Sequence, residues 1–476
     1  MANIVNPAIF RAYDIRGLVD VDLDDFVYQR LGQAAATYLR RQGARSMVVA
    51  RDARLSSLRF QEAFMTGALA TGIDVIDIGE GPTPLMYFAV EHLGAGGGAV
   101  ISASHNPPEY NGLKLRRFSR QYGSEPVPPV DIRELEQLAN HGSLDSGTGR
   151  LSRQDVHGAY VHHVTELLPL RRHMRSDRRP PRLVLDGGNG VAGPLGLRML
   201  EALGLEVIPL FIEPDGRFPN HHPDPLKAEN LAALATAVRE HGADLGIGLD
   251  GDGDRLGVVD AAGQIVWADR YLIVLAQHAL SRRKGTVVFD VKCSTVLADS
   301  IRELGGTPVM WRTGYPNLSA KMRELDAVVG AELSGHAMFP YAGHYFDDGA
   351  FAGAHLVYSL LAGWEPVAPA PMAALSTVLA PYPVLPFLTE GRISYPETEK
   401  FRLIDYLRQR FEAHYPVIAV DGVRVDFGDG WGLVRASNTE PAITTRFEAR
   451  TDARLYAIRD LMLEAVEDFR LPGHAH

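Results

Sequence analysis

The sequence predicts three similar α/β blocks with mixed or mostly parallel sheets, their polar loops facing one central cleft, then a C-terminal α+β block. Three observations predict it. Strand-like and helix-like patterns alternate through most of the chain, the order of a parallel sheet covered by helices. The alternation recurs, and each recurrence ends in a polar loop rich in reactive side chains. The last part breaks the pattern, opening with a helix and continuing with strands. The blocks are expected at residues 1–150, 151–258, 259–370 and 371–476.

In the first block, residues 24–42 place Val27, Leu31, Ala34, Tyr38 and Leu39 on one helical stripe that Gly43 ends. The short apolar run 47–50 reads as a buried strand. A helix over 57–71, a strand over 73–78, a helix over 84–93 and a strand over 99–102 follow. In the second block, a strand at 183–186 leads through Gly187, Gly188 and Gly190 into a helix at 195–203. Strands at 207–210 and 244–249 flank a helix at 231–241. The third block starts near Asp260, with strands at 287–290, 308–311 and 327–330.

Two stretches read as boundaries. Residues 171–182 are rich in arginine and proline; without interleaved aromatics they read as a solvated loop, not a phosphate patch. Residues 364–386 hold six prolines and read as a linker. The last block then shows a helix near Phe401, strands at 417–420, 423–427 and 443–447, and a helix at 453–469.

Composition bounds the function. A chain of 476 residues is too long for one ordinary domain, and 46% apolar with 22% charged residues is globular usage. The net charge of -10 argues against a nucleic-acid partner but leaves an anionic substrate open, since the local field in a cleft governs that. Cys293 stands alone, so a disulfide within the chain is excluded and a cysteine-based zinc site is not expected. No signal-peptide pattern opens the chain and no membrane-spanning apolar run occurs, so a cytoplasmic protein is expected.

Ligands of open α/β sheets bind beyond the carboxyl ends of the strands. Three such loops matter here. The first holds Ala103-Ser104-His105-Asn106. The second is Asp250-Gly251-Asp252-Gly253-Asp254-Arg255. Its alternating carboxylates repel one another without a cation, its glycines permit a tight loop, and hard oxygens suit Mg²⁺. An EF-hand fails on spacing, because the sixth position is Arg255 and the twelfth is Ala261. A solvated acidic turn is the rival reading. The third loop places Glu332, Ser334 and His336 on alternate positions, fit either for sugar hydroxyls and a proton shuttle or for a capped turn with a structural histidine. Ser104 alone is ordinary turn chemistry; beside a metal loop it reads as a phosphoryl carrier. In the last block Arg435, Ser437, Asn438 and Thr439 make a plausible phosphate cradle. The glycine run at 94–99 precedes a strand instead of joining strand to helix, so it is no dinucleotide fingerprint.

Taken in order, these motifs resemble the α-D-phosphohexomutase superfamily, and most closely its bacterial phosphomannomutase/phosphoglucomutase branch. Phe10-Arg11-Ala12-Tyr13-Asp14-Ile15-Arg16-Gly17 is similar to the opening motif, Ser104-His105-Asn106 to the phosphoserine loop, and Asn111-Gly112-Leu113-Lys114 to the stretch with the active-site lysine. His222-Pro223-Asp224-Pro225 and Asp290-Val291-Lys292-Cys293 also resemble this branch.

The resemblance implies interconversion of hexose 1-phosphate and hexose 6-phosphate through phosphorylated Ser104 and a hexose 1,6-bisphosphate, which also serves as activator. It implies one Mg²⁺ per chain on Ser104, Asp250, Asp252 and Asp254. It implies catalytic roles for Ser104, His105, Lys114, Arg255 and His336, with Lys114 and His336 as proton-transfer candidates. Tyr13, Arg16, Lys292, Tyr315, Glu332, Ser334, Arg435, Ser437, Asn438 and Thr439 are then expected at the phosphosugar, and the chain as a monomer.

One departure stands out. The branch usually reads Thr-Gly-His where this chain has Thr313-Gly314-Tyr315-Pro316. A phenol, with a pKa of about 10, does not replace a histidine base near neutral pH. Tyr315 motivates one alternative, a non-catalytic phosphosugar binder; a second is a metal-dependent phosphosugar phosphatase, which would release phosphate if the bisphosphate were not retained.

Overall fold

The computed structural model describes residues 4–174, 177, 179–362, 372–437 and 441–470. Four sheets form in sequence order. The first has seven strands, ordered Ile15–Leu18, Tyr110–Ser119, Gly97–Ile101, Ser46–Arg51, Asp74–Glu80 and Leu151–Arg153, with Gly123–Pro126 paired to Tyr110–Ser119. Its central strands are parallel, but Tyr110–Ser119 runs antiparallel to both neighbours on its path. The second orders Ile265–Val266, Leu256–Asp260, Leu245–Leu249, Arg182–Asp186 and Glu206–Leu210. The third orders Thr307–Trp311, Thr286–Asp290, Val329–Ala331 and Ala337–Met338. The fourth is wholly antiparallel: Phe387–Ser394, Ala442–Ala449, Gly430–Ala436, Val423–Asp426 and Val417–Ile418.

Local chemistry explains the elements. Helix Asp25–Arg41 opens on Asp24, whose carboxylate accepts from Val27 N at 2.8 Å. It closes on Arg40 and Arg41, which favour the negative end of the helix dipole. Strands Gly97–Ile101 and Leu245–Leu249, each parallel to one neighbour and antiparallel to the other, are buried at every position, as strands covered on both faces must be. One apolar core runs continuously through the first three blocks, from Leu85 and Tyr87 through Leu185 and Leu195 to Leu272 and Phe289. The last block has its own core around Leu403, Val434, Ile443 and Ile458.

The sheets do not break where the sequence pattern does. Leu151–Arg153 adds to the first sheet, beyond residue 150, because it pairs with Asp74–Glu80. Leu256–Asp260 carries the second sheet past residue 258, and Ile265–Val266 extends it further. The expected linker at 364–386 lies partly outside the described residues; its later part forms a helix, Leu375–Leu379, that packs Leu375 and Leu379 into the shared core. The strands Tyr110–Ser119 and Phe387–Ser394 went unread in the sequence. The first carries charged residues at Lys114, Arg116 and Arg117, and the second has a register shift between Leu388 and Gly391 that breaks alternation. Among the described residues no helix is long and apolar enough to cross a membrane.

Candidate active site

Ser104 sits just past the end of strand Gly97–Ile101 with φ of 51°, a left-handed conformation that a non-glycine residue holds only under constraint. The constraint comes mainly from Arg54. Its guanidinium donates to the carbonyls of Ser104 (2.8 Å), Asn106 (2.6 Å), Pro107 (2.6 Å) and Tyr110 (3.0 Å). Asp52 anchors the same guanidinium at 3.1 Å. Ser102 Oγ accepts from Ser104 N at 2.9 Å. The Ser104 hydroxyl is left pointing at the second block, where it donates to Asp250 Oδ2 at 2.7 Å.

The three aspartates converge as their spacing predicts. Asp250, Asp252 and Asp254 are completely buried, and one oxygen of each lies within 4.8 Å of the others. Asp250 Oδ1 accepts from the backbone of Gly253 (3.0 Å) and Arg255 (3.2 Å), which folds the loop and aims Oδ2 at Ser104. Gly251 is required: a Cβ there would meet the Ser104 carbonyl at 2.4 Å. Thr83 clamps Asp252 from the first block, donating from N to its carbonyl (2.8 Å) and from Oγ1 to Oδ2 (2.5 Å). Lys114 Nζ reaches Asp252 Oδ2 at 2.6 Å and Asp254 Oδ2 at 2.5 Å.

One ammonium does not satisfy three buried carboxylates. Asp252 Oδ1 and Asp254 Oδ1 have no hydrogen-bond partner. Burial, then the charges of Asp254 and Asp252, pushes Asp250 far above the usual carboxylate range. Burial raises Asp252 too, but Lys114 and Thr83 overcome it and hold that group below its ordinary value. Orphaned oxygens, unbalanced charge and an adjacent hydroxyl are the donor set of a hard divalent cation, so these residues fit Mg²⁺.

Around this centre the third loop supplies His336. Its Nδ1 lies 2.8 Å from Asp347 Oδ2, and Arg255 Nε donates to its Nε2 at 3.1 Å. That pattern fits a neutral ring with its proton on Nδ1, shared with Asp347. Burial opposes charging the ring, while Asp254 and Asp347 pull its pKa above the ordinary value. Tyr315, 5% exposed, begins helix Tyr315–Glu324 and stacks on His336 with centroids 5.8 Å apart. Burial and the charge of Asp347 drive its phenol well above its usual pKa, so it stays neutral. Arg16 pairs with Asp14 at 2.8 Å and donates to the Ala103 carbonyl and to Asn106. His105 stands 3.4 Å from Asp224; burial, then the charge of Arg255, pushes it down to about 3.

A second group gathers towards the last block. Glu332 accepts from Gly314 N and from Ser334 Oγ, the latter at 3.1 Å. Lys292 lies between Asp290 (3.5 Å) and Glu390 (3.6 Å). Arg435 pairs with Asp421 at 3.1 Å, and Lys400 donates to the Ser437 carbonyl at 2.6 Å. Tyr13 bridges the groups: burial and the charges of Glu332 and Asp14 raise its pKa, while Arg435 and Arg16 lower it. Asn438 and Thr439 lie outside the described residues.

Four family models match in sequence: phosphoglucomutase/phosphomannomutase α/β/α domain I over 7–142, domain II over 158–263, domain III over 267–368, and the C-terminal domain over 389–465. The chain belongs to the phosphoglucomutase/phosphomannomutase family. A phosphomannomutase/phosphoglucomutase of Pseudomonas putida is 37% identical across 99% of this chain and 100% of its own length. A phosphoglucomutase of Neisseria gonorrhoeae is 38% identical across 98% of each chain. The crystal structure of a phosphoglucomutase/phosphomannomutase family protein from Burkholderia thailandensis is 37% identical, with a TM-score of 0.87 over 98% of this chain and 99% of that one.

Three residues that organise this centre escaped the sequence reading: Arg54, Thr83 and Asp347. No motif marks them, since each acts on a partner distant in the chain.

Proposed function

We propose that this chain interconverts hexose 1-phosphate and hexose 6-phosphate, of mannose or glucose, with Ser104 as the phosphoryl carrier. The observation that carries the reading is the Ser104 hydroxyl, 2.7 Å from Asp250 Oδ2 in a buried carboxylate cluster with unpartnered oxygens.

In the forward half-reaction, a free hydroxyl of the bound hexose phosphate attacks the phosphorus of phosphorylated Ser104. The bond from phosphorus to Ser104 Oγ breaks as the new ester bond forms, and the hydroxyl proton passes to a base. The product is a hexose 1,6-bisphosphate. It turns over in the cleft, and Ser104 Oγ takes back the other phosphoryl group.

The residues divide this work by position. Ser104, Asp250, Asp252 and Asp254 would hold one Mg²⁺, which when bound draws negative charge off the phosphoryl oxygens. Arg16 and Arg255 supply fixed positive charge beside Ser104, preorganised for a transferring phosphoryl group. His336 Nε2 and Lys114 are the candidates to move the hydroxyl proton, with His105 beside Ser104. Glu332 and Ser334 meet sugar hydroxyls. Lys292, Arg435, Ser437, Asn438 and Thr439 grip the phosphate that is not reacting, with Tyr13 between the two ends. Tyr315 orients His336 by stacking and offers a hydrogen bond, without acting as a base. The reading extends to a monomer working in the cytoplasm, with hexose 1,6-bisphosphate as activator.

The test is a coupled assay of glucose 1-phosphate and mannose 1-phosphate with Mg²⁺ and a trace of 1,6-bisphosphate. Conversion to the 6-phosphates without accumulating inorganic phosphate is expected. Phosphate release in step with substrate loss points instead to a phosphatase.

A further inference from the structure

His105, His222 and Asp224 form a cluster that the reaction above does not need as a unit. Their donor atoms lie within 4.8 Å of one another, and His105 Nδ1 is already 3.4 Å from Asp224 Oδ2. A tetrahedral zinc ion with bonds of about 2.0–2.1 Å needs ligand atoms roughly 3.4 Å apart, so one edge of the site is already set. His222 completes the set, with its donor nitrogen within 4.8 Å of the other two.

The second-block side of the cluster is stiff. Asp224 N donates to the His222 carbonyl at 2.8 Å, turning the chain so that residues 222 and 224 sit side by side. Pro223 and Pro225 flank Asp224 and fix their own φ angles. Leu226 N at 3.2 Å occupies Asp224 Oδ1, leaving Oδ2 turned to His105. Asn230 Nδ2 holds the Asp224 carbonyl at 2.9 Å. Such outer contacts orient a ligand set before an ion arrives. The His105 side chain keeps 28% of its surface exposed, which gives an ion a way in.

The chemistry also selects. An unprotonated imidazole has a ring-nitrogen lone pair to give a metal. Two imidazoles and one carboxylate suit Zn²⁺ and its neighbours, whereas Mg²⁺ prefers oxygen throughout.

We propose that His105, His222 and Asp224 bind a transition-metal ion of the Zn²⁺ class, separate from the three-aspartate site, and that the bound ion arrests the Ser104 loop against the second block. His105 directly follows Ser104, so a bond to its ring ties the phosphoryl-carrying loop to the turn at residues 222–224. Metal binding stands apart from the mutase reading; only the arrest of turnover rests on it.

The experiment titrates the full-length protein with Zn²⁺ alone in saturating Mg²⁺, reading bound zinc by calorimetry and its ligands by zinc X-ray absorption. One zinc per chain that excess Mg²⁺ does not displace, with nitrogen in its shell, is expected. His222→Ala and, as the milder change, His222→Gln are expected to weaken that zinc at least tenfold while melting as the parent does. In the same buffer, zinc is expected to lower mutase turnover at least tenfold in the parent and far less in the variants. Zinc displaced completely by Mg²⁺, zinc bound equally well by both variants, or turnover unchanged at full occupancy overturns the proposal. If the chain shows no mutase turnover even without zinc, the mutase reading fails while the binding arm still decides the site.

Discussion

The seam between the first and second blocks differs in kind from the seam between the third and fourth. At the first, side chains and backbone interlock without slack: Thr83 bonds Asp252 twice, Lys114 bridges two aspartates, and Gly251 lies against the Ser104 carbonyl. Beneath it runs one apolar core common to both blocks. At the second seam the last block keeps its own core. A small apolar patch crosses it, Val291 against Trp431 and Leu433, beside polar contacts: Arg424 donates to the carbonyls of Val291 (2.5 Å) and Cys293 (2.8 Å), Arg312 to that of Val420 (2.9 Å), and Lys292 pairs with Glu390 at 3.6 Å. A cavity of about 600 Å³ opens beside it, lined by Trp267, Arg270, Tyr382, Phe387 and Arg446 among others.

The difference teaches where precision is needed. Phosphoryl transfer tolerates little misplacement, so the reacting groups belong on the interlocked seam. On the proposed mechanism a bisphosphate turns over in the cleft, which needs a distal grip able to loosen, and a seam joined by a small apolar patch and hydrogen bonds opens at lower cost than one built on a large shared core.

The comparison can be broken at several points. Ser104→Ala removes the hydroxyl at the tight seam, and turnover is expected to fall by about 10³-fold or more in the coupled assay. Asp252→Asn removes the carboxylate that Lys114 and Thr83 organise. A loss of roughly 10²–10³-fold is expected, with weaker Mg²⁺ binding by calorimetry, and chelation of the parent should silence it reversibly. Arg54→Lys strips most of the bonds that hold the Ser104 loop. Several buried carbonyls then lose partners at about 1–3 kcal/mol each, so a lowered melting point and at least a tenfold lower kcat are expected. Arg424→Met cuts the loose seam instead. KM is expected to rise severalfold with kcat nearly kept, because the chemistry is left in place; an equal fall in kcat would mean that both seams serve the reacting groups. Tyr315→His should have the smallest effect, a change of a fewfold in the preference between glucose and mannose phosphates.

Much of this was legible in the sequence, for a physical reason. Loops beyond strand ends carry reactive side chains, and Ser104, Asp250, Asp252, Asp254, Glu332, Ser334 and His336 all lie on such loops in chain order. The alternating aspartates stood out because three carboxylates so close together repel one another unless a cation holds them. Arg54 was not legible: it bonds the Ser104 carbonyl from 50 residues away, and a lone arginine after a strand carries no pattern. Asp347 was hidden likewise, 11 residues past His336 in a segment without periodicity. The strand Tyr110–Ser119 was missed because Lys114 and Arg116 face inward from it, buried by partners that lie elsewhere in the chain. Tyr315 was noticed as a departure from the family pattern, but its stacking on His336 needed the fold.

The central claim is that Ser104 carries the phosphoryl group. Its most direct test is peptide mass spectrometry of the protein after incubation with glucose 1,6-bisphosphate, followed by a chase with unlabelled hexose phosphate. The account predicts one phosphoryl group on Ser104 that the chase removes. A phosphoryl group on another residue, or full turnover with Ser104 never modified, contradicts it.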